Sequence, residues 1–301
     1  MAGNDRKLTY FVVDVFTEAP LKGNPLAVVM NACALETEEM QAIAREFHLS
    51  ETTFVERRAA QVEREEGVRV RIFTTEEELP FAGHPTLGTA SVLKLTAPDT
   101  VRDGVVTLRE NVGPIPVRFE PGDSLFGEMT QRDAEFGEEL ERDQVARLCG
   151  LSVDDLDAEH PPRLVSTGNA FAIVLLKSVE ALERLAVRQD EATPWLRARG
   201  GRWFYAMAPE EIDGERGWRA RMQFNGGEDP ATGSAAGCAI AYLAERRIAR
   251  SEERVRVRQG IEIHRPSELF LTASVGADAR VTRVRVAGRT VMVAQGTLFL
   301  P

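Results

Sequence analysis

The sequence is short of nearly everything that marks a secreted, membrane-bound or nucleic-acid-binding protein. Only three of its 301 residues are cysteine, Cys33, Cys149 and Cys238. An odd number so widely spaced builds neither a disulfide framework nor a zinc site, and it suits a reducing cytoplasm. No apolar run approaches the ~18 residues that a membrane span requires. The N-terminal MAGNDRKLTYFVVDVF also lacks the apolar stretch ending in small residues of a signal peptide. Basic residues are outnumbered: 37 Lys and Arg against 47 Asp and Glu leave a formal charge of −10, the wrong sign for a nucleic-acid partner. No G-x-G-x-x-G follows a strand, and there is no P-loop and no metal-spaced His or carboxylate set. Neither cofactor nor metal is expected. What remains is a cytoplasmic protein acting on a small molecule, without nucleic acid or membrane.

What is present is a series of short, β-branched, alternating segments: TYFVVDVF, NPLAVVM, TTFVER, VRVRIFT, LFGEMTQ, LVSTGNAFAIVLL, WRARMQF, RVRVRQG, VTRVRVAG and RTVMVAQGTLFL. A few helical windows interrupt them. Residues 37–47 place Met40, Ile43, Ala44 and Phe47 on one face, and 138–149 do the same with Leu140, Val145 and Leu148. Many strands with isolated helices read as an α+β protein, not as alternating βαβ units.

Two strings recur at one spacing. GNPLAVV from Gly23 resembles GNAFAIV from Gly168, and HPTLGTA from His84 resembles DPATGSA from Asp229; both pairs lie 145 residues apart. The chain therefore reads as one unit of about half its length, used twice. In each copy the second string reads as a helix start, with His84 or Asp229 at the N-cap and Pro85 or Pro230 at the first helical position. Small residues follow, among them Gly88 in the first copy and Gly233 and Ser234 in the second. Glycine costs ~1 kcal/mol relative to alanine inside a helix. Either close packing inside a curved sheet or the approach of a ligand to exposed N–H groups accounts for it. A helix N-terminus is a seat for a carboxylate or phosphate, and two such ends related by duplication can face one cleft. Glu51, at the start of the TTFVER strand, becomes a usable base if it reaches that cleft, because burial raises a carboxyl pKa.

GNPLAVV, SETTF, FAGHPTLGTA and EDPATGSAAG, in that order from about Tyr10 to VRVAGRTVMVAQGTL, resemble the PhzF-like (phenazine-biosynthesis-type) isomerases, which share the diaminopimelate epimerase fold. The resemblance implies two pseudo-symmetric lobes, each a curved sheet or barrel around a central helix. The expected N-terminal lobe is 1–123, completed by a C-terminal strand over 290–301, with 124–289 as the second lobe and the active site in the cleft between. It implies Glu51 as general acid/base, His84 as an orienting or proton-transfer residue, and Asp229 as a contact to a substrate amino or hydroxyl group or a proton relay. Gly83, Gly88, Gly233 and Ser234 are the implied substrate contacts, with the carboxylate at the helix N-terminus around Gly233. A homodimer is the family's usual assembly. Related racemases carry paired thiols at the two helix starts; here those positions hold His84 and Asp229, while Cys238 lies nine residues further on. A single Glu moving a proton between carbons, a cofactor-independent 1,3-type shift on a small carboxylate, fits better than thiol-based racemisation. An epimerase with Asp229 or His84 as second base, and a non-catalytic binding protein of the same fold, stay open. Two departures bear on the substrate. FNGGED (224–229) is a short approach to the second motif, and His264 stands where a small residue is expected.

Overall fold

The computed structural model describes residues 6–122, 125–224 and 226–300. The outer edges of the expected lobes at 1, 123, 124 and 301, the first residues of the N-terminal reading, and Asn225 within FNGGED lie outside the described residues. The chain divides into two compact units, Met1–Met129 with Gly288–Pro301, and Thr130–Ala287.

In the first unit the order is β1 (Arg6–Val15), β2 (Asn24–Val29), α1 (Thr37–Phe47), β3 (Glu51–Glu56), α2 (Ala60–Glu66), β4 (Val68–Phe73), β5 (Glu78–Leu79), α3 (Gly83–Thr96), β6 (Val105–Glu110), β7 (Gly113–Phe119) and β8 (Phe126–Thr130). The second unit holds β9 (Glu135–Glu139), α4 (Arg142–Leu148), β10 (Arg163–Ser166), β11 (Ala170–Leu175), α5 (Val179–Glu183), α6 (Gln189–Arg197), β12 (Trp203–Ile212) and β13 (Glu215–Arg221). After the two-residue strands β14 (Gln223–Phe224) and β15 (Gly227–Glu228) come α7 (Gly233–Glu245), β16 (Val255–Gln259) and β17 (Ser267–Val275). The long β18 (Val281–Leu300) then passes from the second unit into the first.

Strands β1-β2-β3-β4-β6-β7-β8-β18 form a ring, closed where β18 pairs with β1 from Arg6↔Leu300 to Val15↔Thr290. Closure removes the exposed edges of an open sheet. The second unit's sheet runs β9-β10-β11-β12-β13-β16-β17-β18. The internal repeat is visible in the pairing senses. β1–β2, β3–β4, β6–β7 and β7–β8 are antiparallel, with β2–β3 and β4–β6 parallel. In the second unit β10–β11, β12–β13, β16–β17 and β17–β18 are antiparallel, with β11–β12 and β13–β16 parallel. In both copies the parallel step before the last hairpin is made by a buried helix, α3 or α7.

Those two helices carry no charged residue from Gly83 to Leu93 or from Gly233 to Ala244, and both stretches are buried throughout. A helix enclosed on all sides must be apolar or small. At Gly88 close packing against the barrel wall accounts for the glycine: a Cβ there would lie 2.6 Å from Leu26 Cδ2 and 2.8 Å from Val15 Cγ2. Helix α1 is different, an amphipathic cover. Its capping box joins Glu36 and Glu39, its buried face is Met40, Ile43 and Ala44, and it ends at His48 in the left-handed region (φ 52°). That face packs on Phe54 and Phe73, whose rings meet edge-on at 5.4 Å. Among the described residues no helix is long and apolar enough to cross a membrane.

Several sequence expectations shift. The helix expected over 138–149 begins only at Arg142, because Glu135–Glu139 pairs with β10. The strands VTRVRVAG and RTVMVAQGTLFL are one continuous β18, and LVSTGNAFAIVLL is a hairpin of β10 and β11. The helix starts also differ from the expected caps. Ala82 is the N-cap of α3, with His84 and Pro85 inside its first turn, whereas α7 starts four residues beyond Asp229 with Thr232 as N-cap.

Candidate active site

The first unit brings three polar residues together at one end of its barrel. β2 and β3 run parallel with Leu26 opposite Glu51, so the first residues of both strands, Asn24 and Glu51, lie at the same end. The first turn of α3 adds His84. His84 is 4% exposed and Glu51 16%, with 3.3 Å between His84 Nε2 and Glu51 Oε2. On the other side of the ring, Asn24 Nδ2 lies 3.1 Å from His84 Nδ1, and Asn24 is fully buried. Burial pushes the His84 imidazole down to about 3, against a hydrogen bond to the backbone of Pro25. A proline has no N–H, so that partner is its carbonyl.

The imidazole is therefore neutral at pH 7, and this limits its role. It holds one proton on one of two nitrogens. When the Asn24 amide donates to Nδ1, the proton sits on Nε2 and faces a Glu51 carboxylate. With the proton on Nδ1 instead, Nε2 is bare and can accept from a protonated Glu51. Both protonation states of Glu51 thus find a complementary partner without a charge change on His84.

Above the pair, the N–H groups of Gly83 and His84 head α3 without a side-chain cap. Thr86 Oγ1, one turn along, lies within hydrogen-bond distance of both Glu110 Oε1 (2.6 Å) and Ala82 O (2.7 Å). Glu110 is 2% exposed, and burial pushes its carboxyl up to about 8.

The second unit organises Asp229 and the start of α7. Asp229 is buried in the loop before the helix, its N–H bonded to Met222 O at 2.9 Å. Thr232 Oγ1 donates to Asp229 Oδ2 at 2.7 Å. Held between Asp229 and Gln259 Nε2, the Thr232 hydroxyl does not cap the helix. Behind the loop stands Gln259, the last residue of β16 and fully buried. Its Nε2 donates to Asp229 O at 2.8 Å and to Thr232 Oγ1 at 2.9 Å, and its Oε1 accepts from Thr232 N at 3.1 Å and from Tyr205 OH at 3.1 Å. Burial, reinforced by the nearby Asp229 carboxylate, raises the Tyr205 phenol well above its usual range, so it remains a donor. One amide side chain therefore fixes both the backbone and the hydroxyl that position Asp229.

The first intrahelical bond of α7 runs from Ala236 N to Thr232 O. The N–H groups of Gly233, Ser234 and Ala235 accordingly have no helical partner, and they sit at the positive end of a 13-residue helix dipole. Gln131 holds this turn from behind. Its Nε2 donates to Gly233 O at 2.8 Å and its Oε1 accepts from Thr167 at 2.6 Å. Gly237 makes room for it, since a Cβ there would lie 2.0 Å from Gln131 Oε1.

The structure thus joins Glu51 to His84, and Asp229 to the helix start at Gly233 and Ser234. Sequence reasoning passed over Asn24, Gln131, Tyr205, Thr232 and Gln259. Asn24, Thr232 and Gln259 stood inside strings already singled out, and a polar residue opening or closing an apolar strand was the available signal. The thiols stay outside both groups: Cys33 is exposed, while burial raises Cys149 to about 12 and Cys238 to about 11. Among the described residues no group of three or more His, Cys, Asp or Glu is arranged to hold a metal ion. His264 is exposed, and His160 pairs with Asp157.

Residues 13–296 match the profile of the phenazine biosynthesis-like protein family. A trans-2,3-dihydro-3-hydroxyanthranilate isomerase from Pseudomonas chlororaphis is 36% identical, over 97% of this chain and 99% of its own. An uncharacterized isomerase from Mesorhizobium japonicum is 34% identical over 97% and 98%. Among solved structures, a PhzF-family phenazine biosynthesis protein from Bacillus anthracis superposes with a TM-score of 0.85 at 27% identity, covering 98% of this chain and all of its own.

Proposed function

The chain belongs to the phenazine biosynthesis-like protein family and is an isomerase, and from that premise we propose that Glu51 is its proton carrier in a cofactor-independent shift on a small carboxylate. The Glu51 carboxylate removes an acidic C–H proton; the electron pair left behind moves the neighbouring double bond by one position, and Glu51, whose proton exchanges with solvent while it is held, returns a proton two carbons away. One C–H bond breaks, one forms, and nothing is oxidised. General acid–base catalysis of this kind contributes ~10²–10⁴ in rate.

The observation that carries the reading is the 3.3 Å approach of a neutral, buried His84 to Glu51. A positively charged imidazole would hold Glu51 ionised and make it a poor acid for the return step; a neutral one serves both steps. The N–H groups of Gly233 and Ser234 seat the substrate carboxylate, and the N–H groups at Gly83 take a second polar group. Asp229, held by Thr232 and Gln259, accepts from an amino or hydroxyl group of the same substrate. For a protein of charge −10, such local dipoles must supply the attraction that the overall field opposes.

Trans-2,3-dihydro-3-hydroxyanthranilate, named in a relative's description, is the first substrate to try, beside other small amino- and hydroxy-carboxylates. Incubation in heavy water with NMR detection tests the reading. Deuterium at a carbon other than the one that lost its proton supports the shift. Label returned only to the original carbon, with inversion, means epimerisation, and no exchange in protein that binds the carboxylates means a binding protein.

A further inference from the structure

The second unit contains a cavity of about 440 Å³ at the opposite end of α7 from Ser234. Its wall includes Arg246, Arg247 and Ile248, which follow the last residue of the helix. A 13-residue helix is ~20 Å long at 1.5 Å per residue, so this cavity is separate from the residues around Asp229.

Four cations line it, Lys177, Arg216, Arg246 and Arg247, against one carboxylate, Asp157. That carboxylate is turned into its own loop. Asp157 Oδ1 accepts from the N–H groups of Glu159 and His160 at 2.9 Å each, and lies 2.9 Å from His160 Nδ1. Arg246 is neutralised by Glu139 and by Glu245 at 3.0 Å. Lys177, Arg216 and Arg247 have no ion pair among the described residues. Four cations against one carboxylate around one cavity, in a chain of net charge −10, make a local field of the opposite sign to the whole.

Cations commonly gather at helix C-termini to complement the dipole, and that accounts for Arg246 and Arg247. It does not account for the other two. Lys177 follows the end of β11, and Arg216 lies on β13 with its guanidinium 5.9 Å from the Trp218 ring. The lining also includes the apolar side chains of Trp218, Leu176 and Ile248. A volume within the range of small-molecule sites, with an indole and other apolar side chains beside cations in its lining, suits an amphipathic ligand.

We propose that this cavity is a second ligand site, for a small organic anion with a flat apolar body, the shared chemistry of aromatic carboxylates and aryl phosphates. The body lies against Trp218 and Leu176, and the charged group meets Lys177, Arg216 and Arg247.

The test uses the whole protein with fluorinated tryptophan, whose three indoles give separate ¹⁹F signals; Trp218→Phe identifies the reporter. Salicylate, phenyl phosphate, inorganic phosphate and neutral benzyl alcohol are titrated in turn. The proposal expects saturable movement of the Trp218 signal with salicylate or phenyl phosphate, and whichever binds more tightly names the charged group. It also expects Lys177→Gln combined with Arg247→Gln to weaken that binding about tenfold or more. Both side chains are exposed, so the fold is retained. No movement up to about 10 mM, a range that covers weak ligands, or an unchanged affinity in the double variant overturns it. Equal binding of benzyl alcohol overturns the anionic character, and equal binding of inorganic phosphate overturns the flat body.

Discussion

Glu110→Gln is the substitution whose effect can be worked out most fully. Glu110 ends β6 beneath the first turn of α3, the turn that carries His84, and it is 2% exposed. The single Thr86 hydroxyl proton faces two acceptors, Ala82 O at 2.7 Å and Glu110 Oε1 at 2.6 Å. It cannot serve both at once; a proton on Glu110 supplies the missing donor. This agrees with burial raising the carboxyl to about 8. An unfolded glutamate releases its proton near pH ~4.3, so between that pH and about 8 the native state holds one proton more than the unfolded chain. The stability this group contributes is complete below the unfolded pKa and is lost as pH rises towards 8. The slope is ~1.4 kcal/mol per pH unit, or ~2–4 kcal/mol between pH 5 and pH 8 once relaxation is allowed for. Glutamine cannot ionise, so the variant gains on wild type as pH rises, whatever its own offset at pH 5. Urea denaturation of both proteins at pH 5, 6, 7 and 8 gives the difference directly, with every other titrating group cancelled. A difference that stays flat across that range would mean Glu110 is ionised in the native protein and the reasoning is wrong.

Other outcomes follow from the same geometry. Gln259→Met leaves Thr232 N–H, Asp229 O and Tyr205 OH without their buried partner, at ~1–3 kcal/mol for each group left unsatisfied; urea melts should show a loss of several kcal/mol, and turnover should fall further than stability explains. Gly88→Ala forces a methyl against Leu26 and Val15, so the strain of ~1–3 kcal/mol outweighs the ~1 kcal/mol of helix propensity gained, and a higher melting temperature would count against that packing. The pKa of His84 is depressed, so its contribution to stability is present above pH ~6.5 and is lost as pH falls towards 3; its ¹⁵N imidazole shifts should stay those of a neutral ring down to about pH 4. Iodoacetamide should label Cys33 alone in the native protein and leave turnover intact, because Cys149 and Cys238 are buried thiols with raised pKa values.

The sequence disclosed the repeat before any coordinates, because two strings at one spacing are carried by strands and helices with the same pairing sense in each half. It also disclosed α1, whose apolar stripe is the one-sided pattern that periodicity detects. Less visible were β6 and β7: the alternation of VVTLRE was present but went unread, and Pro114 and Pro116 disguised its partner. The starts of α3 and α7 were misplaced because Pro after His or Asp is compatible with several positions in a first turn; at α7, tertiary bonds to Gln259 decide which. Asp229 stood out through the repeat, and Glu51 chiefly through family resemblance; nothing in local composition separates Glu51 from any glutamate opening a strand. The amides Asn24 and Gln259 were silent for a different reason. Their partners lie 60 and 30 residues away, and an amide signals its role only through what it touches.

The account rests on Glu51 as the carrier of the proton, and Glu51→Gln tests that most directly. Glutamine keeps the shape and the contact towards His84 Nε2 but cannot accept a proton from carbon. With wild type and variant compared in heavy water on whichever carboxylate the wild type turns over, the account predicts that deuterium incorporation and product formation both fall by ~10² or more, with the melting curve unchanged. A folded Glu51→Gln protein that turns over at the wild-type rate would contradict it.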